Sequence, residues 1–266
     1  MGWQTWCSVG PCGEDHCNDQ QIREMADTLV KKDTTTGESM QDLGYNWIVL
    51  DDCWHPHRAA NGSLVPFPRF FPNGMKPVID YVHSLGLTFG LYTSVGDETC
   101  HGGWSPGSYN HWKTDADTFA SWGVDYVKID YCGQHDSPEG HHAMSQAMNA
   151  TGRPMVLALC RGPYQKEEKW GYAPDVAQVW RATGDHHDEF SSLLEQVNSV
   201  KGKSSWSGPY NWAYLDMMMT GGQGCDSQCV GSRNDTGVCN FTTPTHCPGQ
   251  TDAEYRTEAS LYAVGE

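Results

Sequence analysis

Positive charge is scarce in this chain. Lys and Arg number 17 against 33 Asp and Glu, a formal charge of −16. Without a basic cluster, neither nucleic acid nor an anionic membrane is an expected partner. No apolar run approaches the ~18 residues that a membrane-spanning helix needs. No Gly-rich fingerprint follows an early strand-like run, which counts against a dinucleotide-binding open sheet, though a doubly wound sheet stays open as an alternative. There is no H-E-x-x-H run and no C-x-x-C pair, so a zinc site is not expected. The opening residues, MGWQTW, have neither the basic start nor the apolar core of a signal peptide. They also miss the myristoylation pattern, because Trp6 stands where Ser or Thr is needed. The natural N-terminus is therefore expected to have been cut away.

Cysteine, by contrast, is plentiful. There are 11, several closely spaced: Cys7, Cys12 and Cys17, then Cys225, Cys229, Cys239 and Cys247. Such density is rare in the reducing cytosol and common in secreted chains. Asn-x-Ser/Thr sequons start at Asn61, Asn149, Asn234 and Asn240. For a eukaryotic source, the two features together point to a secreted or a lysosomal or vacuolar protein.

Short apolar runs alternate with amphipathic stretches. Asn46–Asp51, Leu87–Thr93, Asp125–Asp130, Met155–Leu159, Val176–Arg181 and Trp212–Met217 read as buried strands, and Met1–Thr5 as another. Between them, Asp19–Lys32 carries Ile22, Met25, Ala26 and Leu29 at helical spacing. Lys76–Leu85, Thr114–Trp122, His142–Asn149, Asp188–Val200 and Ala253–Val264 read the same way. Repeated strand–helix units imply a parallel sheet. Seven such units predict an α/β fold, a (β/α)8 TIM barrel without its last strand. Two stretches fall outside the pattern: a loop at His101–Asn110, and Gly221–Gln250, which reads as a disulfide-pinned excursion within a single barrel domain spanning 1–266.

Polar residues cluster where the strands end. They include Asp51-Asp52, Tyr92, Lys128 with Asp130, Arg181 with Asp185, and Asp216. In a barrel, functional groups gather at the C-terminal ends of the strands. A charged group ending an apolar strand must be paired, hydrated or functional. Lys128 and Asp130 share one face of their strand, and a nearby ammonium favours an ionised Asp130 that can act as a nucleophile. A structural ion pair is the alternative. Asp51 and Asp52 can hold sugar hydroxyls or a metal, or simply cap a turn. Trp3, Trp6, Trp54 and Trp104 can stack on a sugar ring or fill the core. The pairs His186-His187 and His141-His142 read as solvated residues at helix starts, since adjacent positions on a helix point in different directions.

Several motifs, taken in order, resemble glycoside hydrolase family 27, the α-galactosidases (melibiases) and α-N-acetylgalactosaminidases. They are MGWQTW, DDCW at 51–54, GLTFGLYTSVG at 86–96, DYVKIDYC at 125–132, RATGD at 181–185 and Leu215-Asp216-Met217. The resemblance implies Asp130 as nucleophile and Asp185 as acid/base. It assigns sugar contacts to Trp6, Asp51, Asp52, Tyr92, Cys100, Lys128, Arg181 and Asp216. It implies a galactose-containing saccharide as substrate and no metal or organic cofactor.

The resemblance also implies a disulfide between Cys100 and Cys132. Further pairings would join Cys53 to Cys12 and Cys7 to Cys17, with two bridges within Cys225–Cys247 and Cys160 left over. Family members continue into an eighth strand and a C-terminal β-sandwich domain. This chain ends at Ala263-Val264-Gly265-Glu266, so it is expected to be an excerpt truncated at both ends. The DDCW pair favours a sugar with a C6 hydroxyl, which a β-L-arabinopyranosidase substrate lacks. Tyr164, in the loop after Cys160, favours galactose over its N-acetylated form. A non-catalytic sugar-binding protein is the alternative from another class.

Overall fold

A computed structural model describes residues 1–6, 18–52, 54–100, 105–160, 172–220 and 250–265. The described chain falls into two compact units divided between Leu157 and Ala158, with Trp6 counted in the second.

The first unit opens with strand β1, Gly2–Gln4, and helix α1, Asp19–Val30. Asn18 caps α1 by accepting from the Gln21 N–H at 2.9 Å. The helix buries Ile22, Ala26 and Leu29, three of the four residues in the stripe its spacing predicts, while Met25 is half-buried. Strand β2 is Trp47–Leu50, followed by a small hairpin, β3 (His57–Arg58) with β4 (Leu64–Val65). Helix α2, Lys76–Ser84, leads to β5, Thr88–Ser94. Helix α3, Trp112–Trp122, and β6, Tyr126–Asp130, come next. Helix α4, Pro138–Ala150, then precedes β7, Val156–Leu159, where the units divide. Ile48, Leu50, Phe89, Leu91, Val127 and Ile129 are fully buried, as are Val78, Ile79, Phe119 and Met144 of the helices. Each such side chain contributes roughly 1.5–3 kcal/mol of hydrophobic stabilisation.

The second unit holds the short helix α5, Ala173–Val176, strand β8, Val179–Arg181, helix α6, Phe190–Val200, strand β9, Trp212–Tyr214, and helix α7, Asp252–Gly265. Leu193, Leu215 and Tyr262 form its core, with Phe190, Val197, Val200, Met218 and Leu261 packed around them.

The sheet runs β1-β2-β5-β6-β7-β8-β9. The pairings of β1 with β2, β2 with β5, β5 with β6, β7 with β8 and β8 with β9 are all parallel. Seven strands in chain order with helical crossovers are seven successive units of a (β/α)8 barrel. No helix among the described residues is long and apolar enough to cross a membrane.

The hairpin and α5 are additions to the sequence reading. Strands of two residues leave no period to detect. Tertiary contacts hold the hairpin: the Arg58 guanidinium donates to both carboxylate oxygens of buried Asp115, at 2.6 and 2.8 Å. It also donates to the carbonyls of Gly62 and Gly107, and such bidentate pairs fix geometry well.

Candidate active site

Within the first unit, the polar ends of β2, β5 and β6 meet. Register places Tyr92 beside Lys128 and Ser94 beside Asp130. The Tyr92 hydroxyl donates to Asp130 Oδ2 at 3.0 Å, and the Tyr131 N–H donates to Asp130 Oδ1 at 2.9 Å. Both carboxylate oxygens are thereby oriented. Lys128 Nζ pairs with Asp51 Oδ2 at 2.7 Å, with both side chains buried. It also lies over the Tyr92 ring, 5.4 Å from the centroid. Lys128 thus has Asp51 as a close ion-pair partner.

Asp51 is densely held. Gln4 Nε2 donates to Oδ2, the Asp52 N–H donates to Oδ1 at 2.8 Å, and the Thr5 hydroxyl oxygen accepts from the Asp51 N–H at 2.9 Å. Asp52 is buried beside it. Cys100 and Cys132 form the expected disulfide, with Cα atoms 5.1 Å apart. Their sulfurs and an Asp130 carboxylate oxygen lie within 4.8 Å of one another. Sulfurs joined in a disulfide are not thiolates and lack the donor character that metals seek. The Cys100 N–H donates to the Tyr92 hydroxyl oxygen at 3.3 Å, and Ser94 Oγ bridges to the Cys132 backbone. The loops after β5 and β6 run so close here that a Cβ on Gly96 would collide with the Cys132 carbonyl.

In this unit one reading left open is settled and another is overturned. Trp54 is fully buried, donates to the Tyr92 carbonyl at 2.9 Å and packs on Phe119 and Trp122. It is core, not a sugar platform. His141 is fully buried rather than solvated and stacks on Tyr131, with centroids 5.5 Å apart. Burial pushes its pKa down to about 4, against the opposing pull of the Asp130 charge.

Within the second unit, Arg181 Nη1 donates to Asp185 Oδ1 at 2.7 Å and to Asp216 Oδ1 at 3.3 Å. Burial works against the guanidinium charge, but Cys160, Asp216, Asp185 and Tyr214 outweigh it and raise the arginine pKa. The Asp185 side chain is 75% exposed, while that of Arg181 is 9% exposed. Asp185 therefore sits at the open end of a buried cation. Asp216 sits at φ 122°, a conformation non-glycine residues rarely adopt. Its other oxygen accepts from the His186 N–H at 2.8 Å. His186 is buried too, contrary to the solvated reading of the pair. Nearby Cys160 is a buried thiol outside any disulfide.

Of the remaining candidates, Trp6 lies half-buried just after β1. Tyr164, Trp104, Cys53 and the 221–249 part of the expected excursion lie outside the described residues, with the other cysteines expected to pair. Gln4 and Glu258 were not singled out in the sequence, and His141 and His186 were read there only as solvated residues.

Seven parallel strands in chain order, with carboxylates at several strand ends, define a class: a partial (β/α)8 barrel. Comparisons supply the family. The family model described as Alpha galactosidase A (Melibiase_2) matches residues 1–233. Alpha-galactosidase A of Cellvibrio japonicus is 39% identical over 234 residues, covering 83% of this chain and 54% of that protein. The alpha-galactosidase of Cyamopsis tetragonoloba is 37% identical over 231 residues, covering 86% of this chain and 53% of that protein. Among solved structures, alpha-galactosidase I from Mortierella vinacea superposes with a TM-score of 0.70 at 31% identity, covering 84% of this chain and 60% of that one. The Saccharomyces cerevisiae alpha-galactosidase with raffinose does so with a TM-score of 0.69 at 29% identity, covering 83% and 52%. The chain belongs to glycoside hydrolase family 27. It spans about half the length of the curated relatives it matches.

Proposed function

We propose that this chain forms the catalytic barrel of a retaining α-galactosidase that releases terminal α-linked galactose from saccharides. One observation carries the reading: Asp130 ends β6 with each carboxylate oxygen held by one hydrogen bond. A carboxylate fixed in this way keeps one aim toward an incoming anomeric carbon. The names of the relatives support the activity. The raffinose in the yeast structure supports the substrate class, since raffinose is a galactosylated sucrose.

Catalysis follows two displacements. Asp130 attacks the anomeric carbon and forms a galactosyl ester, while Asp185 gives a proton to the departing oxygen. Water then attacks the ester, Asp185 takes its proton, and α-galactose is released. Exposure of Asp185 suits a group that must meet both leaving group and water. Arg181 holds that carboxylate in place before substrate arrives. Asp51, Asp52, Tyr92, Lys128, Cys100, Arg181, Asp216 and Trp6 are read as the residues that contact the sugar. The cycle uses no cofactor. A secretory, lysosomal or vacuolar location is supported by the Cys100–Cys132 bridge and by exposed sequon residues Asn61 and Asn149.

The test is proton NMR of hydrolysis of p-nitrophenyl α-galactoside by the full-length protein. α-Galactose should appear first and mutarotate later. β-Galactose as the first product would overturn retention, and binding without turnover would favour a sugar-binding protein.

A further inference from the structure

The segment that carries Asp185 is gripped from a distant part of the chain. His186, its immediate neighbour, donates its N–H to Asp216. The His186 ring reaches Glu258 Oε1 through Nε2 at 2.8 Å and Ser192 Oγ through Nδ1 at 3.0 Å. Both the His186 and Glu258 side chains are 0% exposed. Ser192 Oγ already accepts from the His187 N–H at 3.0 Å, which leaves its proton for His186 Nδ1. Nε2 then carries the ring proton and donates to Glu258.

Glu258 is held from several sides. Its Oε1 also accepts from the Met219 N–H at 2.8 Å. Its Oε2 accepts from Thr220 Oγ1 at 3.0 Å and from Gln250 Nε2 at 3.3 Å. It sits on α7 between Tyr255 and Tyr262, whose hydroxyls reach Asp188 Oδ2 at 2.8 Å and the Met217 carbonyl at 3.3 Å. One face of α7 thus contacts the segment after β8 and the segment after β9. A buried carboxylate is costly unless donors surround it. Here every donor named comes from a segment bordering Asp185 or Asp216, or from Gln250, just before α7. An apolar residue would serve packing as well as Glu258 but would leave His186 and the Met219 N–H unanswered.

We propose that Glu258 is a positioning residue for Asp185, acting through His186; this rests on the reading of Asp185 as the acid/base. The contact fixes the His186 ring, the His186 N–H fixes Asp216, and Asp216 shares Arg181 with Asp185. Freeing the ring lets the Asp185 segment drift from the leaving-group oxygen. The attack by Asp130, in the other unit, is not directly altered.

Leaving-group dependence of kcat/KM in the full-length protein tests this. Dinitrophenolate departs without a proton, and methoxide does not. Glu258→Ala and Ser192→Ala should each lose about tenfold more on methyl than on 2,4-dinitrophenyl α-galactoside, a fraction of what general acid catalysis contributes. Glu258→Gln, whose amide oxygen still accepts from His186 and Met219, should keep the wild-type ratio. The ratio is blind to unfolded protein, so lost stability does not imitate the effect. An unchanged ratio in Ser192→Ala and in any folded Glu258→Ala would overturn the proposal. Asp185→Asn, run alongside, separates the two failures: if it too keeps the ratio, the acid assignment is what falls.

Discussion

Replacing Lys128 with Met removes one charge of a buried pair and keeps most of the side-chain volume. Lys128 Nζ lies 2.7 Å from Asp51 Oδ2, with side chains 8% and 2% exposed. At that distance and an effective dielectric of about 20, the attraction is roughly 6 kcal/mol. Desolvation of the two ions costs several kcal/mol each and opposes it, so the pair contributes little net stability relative to an apolar pair. Breaking it is different. Asp51 keeps Gln4 and the Asp52 N–H as donors but loses its counter-charge in a site closed to water. Lys128→Met should therefore cost about 3–5 kcal/mol. Adding Asp51→Asn neutralises the stranded carboxylate and should recover roughly 2 kcal/mol. Urea unfolding of wild type, both single variants and the double variant measures the coupling. A coupling below about 0.5 kcal/mol would mean that the two charges do not sense one another, and the buried-pair account would fail.

Tyr92→Phe removes the hydroxyl that donates to Asp130 and accepts from the Cys100 N–H. We expect kcat/KM to drop roughly ten- to a hundredfold, the scale of one or two hydrogen bonds to a charged group. Unchanged kinetics would show that Tyr92 does not orient Asp130. Acid should weaken the fold through two buried histidines. Burial lowers His55 and His141 from 6.5 to about 4. Between those values the unfolded chain binds protons that the folded chain refuses. Their stability is therefore whole above pH 6.5 and falls as pH drops toward about 4, by up to about 3 kcal/mol each. His141→Gln should flatten the slope of unfolding free energy against pH in that window; identical slopes would refute the assignment.

The strands and the carboxylates at their ends were legible because both are written in neighbouring residues. A run such as Ile48-Val49-Leu50 reads as buried and is, and an Asp that follows it directly lies at the strand end. The α1 stripe of Ile22, Ala26 and Leu29 was legible for the same reason. Which charges would meet was not legible. Lys128 pairs with Asp51 from 77 residues away, a partner that local spacing does not name.

The sequence by itself determined the alternation of strands and helices, the parallel order of the sheet and the acidic residues at the strand ends. Hydrophobic periodicity and short-range spacing suffice for these. Tertiary structure alone decided that His141 and His186 are buried, that Trp54 belongs to the core, and that Glu258 meets His186 from 72 residues away. A polar residue on a helix reads as solvent-facing until something packs over it. Whether burial is tolerable depends on donors and acceptors brought from distant segments, and local sequence carries no record of those partners.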